Sequence, residues 1–265
     1  MKTVILISTL LAAGTLAASA ATTLVAHYNM EDKSNPLADV AGGDNTFSNS
    51  EFNSSFVATA GGVSGNYLNV HSNKAAWNGN TTGFTASNMA FSMLIKVSEL
   101  PVPTDANNLD WTAQWILGGG TSTNGNAKLG IGRNGELKFS LHSIGSAGLN
   151  SESAVVKTNE WTQIGFSLVG NKLSLWQNGK IVASNDNYGH TLTWNNKLCL
   201  VEGNDACAKR FTGGLDEVKA WTVDSESDVA SLMKNEASVV PEPSMFGLLA
   251  GLGALALVAA RRRRK

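Results

Sequence analysis

Lys172 to Ala183 reads K-L-S-L-W-Q-N-G-K-I-V-A, two short apolar-polar alternating runs joined by Asn178-Gly179. Asn-Gly favours the positive φ angles of a type I′ turn, whose twist matches that of paired strands. The segment is therefore expected to form a tight β-hairpin. Arg133-Asn134-Gly135-Glu136 repeats the device after Leu129–Gly132. Met89–Val97 (MAFSMLIKV) has the length and composition of a strand. Glu136–His142 alternates, with Leu137, Phe139 and Leu141 on one face, and Trp161–Val169 puts Ile164, Phe166 and Leu168 opposite Trp161, Gln163, Gly165 and Ser167. Trp161, Trp176 and Trp221 lie in such patterns and read as core. Many short strands with Gly/Asn turns, no repeat and no long linker imply one all-β domain, a β-sandwich or jelly roll. One short C-terminal helix is expected on its outside. Ser225 stands as its N-cap, Asp228 three residues on, and Val229, Leu232 and Met233 share a face.

Both ends differ from this middle. Residues 1–20 combine Lys2, an apolar run from Val4 to Leu16, and small residues at Ala18 and Ala20. They read as a secretory signal peptide cleaved after Ala20. Near the other end, Met245–Ala260 is a 16-residue stretch without a charge. As a helix it would span roughly 24 Å against a hydrocarbon core of roughly 30 Å, enough if flanking arginines snorkel. A separate C-terminal transmembrane helix is therefore expected, with the basic tail 261–265 on the cytoplasmic side. The formal net charge of −1 hides this tail. Between residues 22 and 240 lie 14 basic and 20 acidic residues, so the body is near −6 and suits neither nucleic acid nor anionic lipid through its overall field.

Val240-Pro241-Glu242-Pro243-Ser244, a Gly/Ala/Leu stretch and a terminal arginine cluster follow one another in that order. This arrangement resembles the bacterial PEP-CTERM sorting signal, which implies recognition and processing by a membrane-embedded exosortase. Pro241, Glu242 and Pro243 are the sorting motif. The prolines cannot enter a helix interior and so hold an extended segment outside the bilayer. Gly247 and Gly251 are spaced as in helix dimers, which a Gly/Ala-rich stretch produces by chance.

The body resembles the LamG-like, concanavalin A-like jelly-roll family. Leu24–Met30 followed by Asp39 and Gly42-Gly43-Asp44-Asn45 is similar to the opening strand and its loop. Gly65–Leu68, Phe91–Lys96, Trp161–Ile164 and Leu175–Lys180 are similar to successive strands, although Met93-Leu94 stands where the family usually has tryptophan. Phe211–Trp221 is similar to the closing strand. The resemblance implies residues 21–236 as the jelly-roll domain, after a signal peptide at 1–20 and before a sorting signal at 237–265.

Residues able to carry chemistry are few. Cys199 and Cys207 are the only cysteines, and in an exported chain a disulfide between them is expected, closing a short loop at a gain of about 2–3 kcal/mol. Neither H-E-x-x-H nor G-x-S-x-G occurs, nor the E-x-D-x-x-E pattern of concanavalin-like hydrolases. No catalytic residue is assigned. Asp39, Asp44 and Asp216 are candidate ligands for a structural calcium ion, a hard cation suited to carboxylates, or else they cap loops. Trp111 and Trp194, in Asn-rich segments, are candidate sugar-stacking residues, or else they pack under loops.

The expectation is an exported bacterial surface or matrix protein, non-catalytic, binding carbohydrate or exopolysaccharide. It would be membrane-anchored until its tail is processed. Its partners would be signal peptidase, exosortase and a glycan, and not nucleic acid. The alternatives are a structural adhesion module without a glycan site and a concanavalin-like glycoside hydrolase or polysaccharide lyase.

Overall fold

The computed structural model describes residues 22–43, 45, 56–70, 76–78, 88–101, 113–118, 127–141, 148–152, 156–190, 198–200 and 211–240. Numbered along the chain, its strands are β1 (Thr23–Tyr28), β2 (Phe56–Ala60), β3 (Asn66–Val70), β4 (Ala76–Asn78), β5 (Met89–Val97), β6 (Ala113–Gly118) and β7 (Ala127–Gly132). They continue as β8 (Leu137–Leu141), β9 (Leu149–Asn150), β10 (Trp161–Val169), β11 (Lys172–Gln177), β12 (Lys180–Asn185), β13 (Leu198–Leu200) and β14 (Gly213–Thr222), and one helix follows, α1 (Glu226–Ala237).

The strands form two antiparallel sheets. Eight make the larger, in the order β12-β11-β10-β5-β14-β3-β2, with β1 also paired to β14. Six make the smaller, in the order β4-β13-β6-β7-β8-β9. Alternation decides which side chains lie between them. Ile164, Phe166 and Leu168 of β10 face Leu129 and Ile131 of β7 and Leu137, Phe139 and Leu141 of β8 in one core cluster. Phe166 stacks on Phe91 at 5.2 Å and meets Phe139 of the opposite sheet at 5.1 Å. Burying these apolar faces is the main force holding the sandwich together.

The hairpin at Asn178-Gly179 forms as the sequence implies, with φ of 47° and 73° at its two turn residues. Helix α1 also forms where expected. Ser225 Oγ accepts the N–H of Asp228 at 3.2 Å and donates to its carboxylate at 2.7 Å. The helix lies on the outer face of the larger sheet, where Val229 and Met233 bury against Ala90, Trp176 and Trp221. Trp176 and Trp221 are thus core residues, but of this second cluster. Trp161 departs from the expectation. It is half-buried and meets Tyr67 edge-on at 5.5 Å.

Among the described residues no helix is long and apolar enough to cross a membrane. The expected transmembrane stretch 245–260 lies outside them, as do the signal peptide with Ala18 and Ala20 and the motif Pro241, Glu242 and Pro243. Cys199 lies in β13, paired in register with Trp77 and Gly118. Cys207 lies outside the described residues, and no disulfide is described between the two.

Candidate functional site

Strand β14 is long, and two strands share one of its edges. Gly213–Leu215 pairs with β3, and Val218–Thr222 pairs with β1. Asp216 and Glu217 fall at the junction. Across the other edge the register to β5 slips there, so that two residues, Glu217 and Val218, oppose one. This is a β-bulge, and Glu217 takes φ of 49° in it. The bulge re-aims both carboxylates.

Asp216 is fully buried. Its Oδ2 accepts the N–H of Val63 at 2.8 Å and its Oδ1 the N–H of Glu217 at 2.9 Å. Burial pushes its carboxyl up to about 6. The charges of Glu217 and Glu31 add to the rise, and the two backbone N–H groups oppose it. Gly62 closes over it, for a Cβ there would stand 2.7 Å from Asp216 Oδ2.

Glu217 has the opposite fate. Burial raises its carboxyl, but bonds from His27 and Lys219, and one from Ser64, outweigh burial and hold it at about 2. His27 Nε2 lies 2.8 Å from Oε2 and Lys219 Nζ 2.9 Å from the same oxygen, while Ser64 Oγ donates to Oε1 at 2.9 Å. Lys219 also reaches Glu236 in the last turn of α1 at 2.8 Å. One half-buried chain of hydrogen bonds and ion pairs therefore ties β1, β14, the 61–65 loop and the helix.

Asp39 serves the neighbouring loop. Its Oδ1 accepts the N–H groups of His27 and Ala41, each at 3.0 Å, and its Oδ2 accepts Asn45 Nδ2 at 3.2 Å. The Tyr28 hydroxyl donates to the Asn45 carbonyl at 2.8 Å. Asp39 and Asp216 are linked through His27 and Glu217. Among the described residues no three His, Cys, Asp or Glu side chains are grouped to hold a metal. Asp44 lies outside the described residues, as do Trp111 and Trp194.

The outer face of the smaller sheet carries a second constellation. In register across β6, β7, β8 and β9 stand Trp115, Gly130, Lys138 and Asn150. Trp115, Lys128 and Lys138 are all buried, although they point away from the core. Lys128 Nζ sits 5.9 Å from the Trp115 ring centroid, and Lys138 Nζ lies 3.6 Å from Glu136. Gly130 is required there, since a Cβ would meet the Gln114 carbonyl at 2.4 Å and the Trp115 ring at 2.9 Å.

Sequence reasoning passed over both constellations. Asp216 is a candidate by residue type alone and Glu217 falls within the closing strand, because strict alternation gives no sign of a bulge. The lysines of AKLGIG and ELKFSLH carried a signal, alternating with inward apolar residues, but nothing in it showed that they would be buried.

Residues 64–228 match the family model described as the concanavalin A-like lectin/glucanases superfamily. The chain belongs to that superfamily. Residues 239–264 of this superfamily member match the PEP-CTERM protein-sorting motif. No curated protein sequence matches it. Its fold is similar to domain 4 of AbnA, a GH43 extracellular arabinanase from Geobacillus stearothermophilus, solved with arabinotriose. The TM-score is 0.61 at 16% identity, over 83% of this chain and 99% of that one. It is also similar to the binding domain of Paraclostridial Mosquitocidal Protein 1, with a TM-score of 0.59 at 16% identity over 81% of this chain and 52% of that one. A third similar structure is the botulinum neurotoxin serotype D ligand binding domain in complex with N-acetylneuraminic acid, with a TM-score of 0.54 at 16% identity over 80% and 51%. The chain spans about half the length of each toxin domain. At these identities the likeness establishes the fold.

Proposed function

We propose that this is an exported, non-catalytic surface or matrix protein. Its sandwich binds carbohydrate or exopolysaccharide, and its C-terminal tail spans the membrane as a temporary anchor until exosortase processing releases it. The observation that carries the reading is the union, on one chain, of a concanavalin A-like sandwich with a PEP-CTERM motif. The similar structures support the ligand class, one being solved with arabinotriose and another with N-acetylneuraminic acid. The carboxylate pair of the bulge is not placed to act as an acid–base couple. Acid–base hydrolysis needs two carboxylates that reach the glycosidic bond. Asp216 has the raised pKa of a general acid, but it has 0% exposure and spends both oxygens on backbone N–H groups. Glu217 is held ionised by three side chains.

The test is a binding screen of the purified body, residues 22–240, against a broad polysaccharide panel, with calcium and again with EDTA. Saturable binding that free sugar competes, with no new reducing or unsaturated ends released, is the expected result. Binding to nothing on the panel would leave the structural-module reading. Release of new ends would make the protein a hydrolase or lyase.

A further inference from the structure

The two ends of the larger sheet differ in charge, and the chain leaves the body at one of them. Helix α1 runs from the Lys172 end, where Glu226 meets Lys172 at 2.8 Å, to the Asn178-Gly179 hairpin. A Cβ on Gly179 would stand 3.1 Å from Lys234 Cα and 3.4 Å from Ala237 Cβ, so the last helical turn packs on that hairpin. At the first end, Asp186 and Glu226 pair with Lys172, and Asp224 and Asp228 flank the start of the helix. At the second, Lys96, Lys180 and Lys234 lie at the ends of β5, the β11–β12 hairpin and α1, beside exposed Glu99, and Lys157, just before β10, pairs with Glu160 at 3.8 Å. Glu236, also there, is taken up by Lys219. This end is therefore basic among the described residues, although the whole body is acidic. Neither Lys180 nor Lys234 has an ion-pair partner among the described residues. Val239, just past the helix, is 46% exposed.

Chain length decides what this end must face. The described chain ends at Val240, and the uncharged stretch begins at Met245. The four intervening residues reach at most roughly 14 Å when fully extended. A body tethered so closely is held within reach of the headgroups. The face nearest the tether is basic among the described residues and carries an exposed apolar residue. We propose that the end of the sandwich formed by the last turn of α1 and the β11–β12 hairpin docks on an anionic lipid surface while the tail is intact. Lys180 and Lys234 supply the attraction and Val239 enters the headgroup boundary. This rests on the reading of residues 245–260 as membrane-spanning. Removal of the tail would end the tether and with it the docking.

The experiment uses the full chain after signal cleavage, reconstituted into vesicles of phosphatidylcholine alone or mixed with phosphatidylglycerol. Flotation reports insertion. A water-soluble amine-acetylating reagent, read by mass spectrometry, reports the exposure of each lysine. The expected result is flotation with both lipids, and severalfold slower acetylation of Lys180 and Lys234 in the anionic vesicles than in the neutral ones. Lys172, at the opposite end, should react alike in both, and added salt should abolish the difference. The double variant Lys180→Glu/Lys234→Glu, whose side chains are exposed, should float normally but lose the protection of Lys157. Flotation with equal acetylation in both lipids would overturn the docking alone. Failure to float would overturn the spanning tail and the docking with it.

Discussion

Asp216 and Glu217 are adjacent, yet their environments drive their acidities apart, to about 6 and about 2. The two shifts act on stability with opposite sign. Asp216 binds its proton more tightly in the folded state than its ordinary value of 3.8 allows, so its contribution is lost as pH rises from about 4 to about 6. Glu217 binds its proton more weakly than its ordinary 4.5, so its contribution is present above that value and lost as pH falls towards about 2. Each shift corresponds to something on the order of 3 kcal/mol. Thermal unfolding of residues 22–240 between pH 3 and 8 should therefore show greatest stability near pH 4 to 5. Glu217→Gln should lower stability at pH 7, because it leaves Lys219 and His27 short of a buried partner, and should flatten the acid limb. A wild-type profile level from pH 4 to 7 would contradict this assignment of the bulge. None of it was legible beforehand. The sequence shows Asp216-Glu217-Val218-Lys219 in a strand pattern, but the partners that set the two acidities include His27, Glu31, Val63 and Ser64, brought together only by the fold. Asp39 was legible in type and not in role, because its oxygens close a loop on His27, Ala41 and Asn45.

At the scale of elements, the sequence was most informative where a local rule agrees with burial. The β10 and β11 boundaries follow from alternation, because one face of each meets the core and the period of two is enforced, and the β5 boundaries follow from length and composition. The hairpin follows from Asn178-Gly179 and the helix from Ser225. Strands β2, β4, β6, β9 and β13 were not foreseen. Of these β4, β9 and β13 have two or three residues each, too short for periodicity to show. Trp161 was misread for a related reason. Alternation places it on the outer face of β10, where burial depends on what covers that face, and α1 reaches Gln163 and Gly165 but leaves Trp161 to Tyr67. Helix α1 is itself largely polar, and its hold on the sheet rests on few side chains. Met233 is fully buried, and Gln163 Nε2 lies 3.3 Å from its sulfur. Met233→Ala should cost about 2–4 kcal/mol through the cavity it leaves, and Ser225→Ala about 1 kcal/mol through loss of the cap. Chemical denaturation of residues 22–240 measures both. Equal, small effects would mean that α1 is not part of the cooperative unit.

At the scale of the molecule, one short connection joins a folded body to its sorting motif. Helix α1 ends at Ala237 with Ser238 Oγ donating to the Asn235 carbonyl, and Pro241 follows after three residues. The prolines then have a definite physical task. Each lacks an N–H and restricts the residue before it, so together they stop helix from running on from α1 into the Gly/Ala/Leu stretch. On the proposed function, processing requires accessible backbone at Pro241–Pro243, and the restricted φ of proline disfavours helix there. Replacing both with alanine gives Val240-Ala-Glu-Ala-Ser244, a good helix-forming bridge between two helix-prone segments. In an exosortase-bearing bacterium, the Pro241→Ala/Pro243→Ala chain should still lose residues 1–20 and fold. It should keep its tail and stay in the membrane fraction, where intact-mass measurement shows the uncut C-terminus. Glu242→Gln leaves both prolines in place and tests the charge separately. If it is cut while the double-alanine chain is not, extension rather than charge is what the enzyme reads at this site. If the double-alanine chain is cut as fast as the wild type, the prolines are not what holds the motif open.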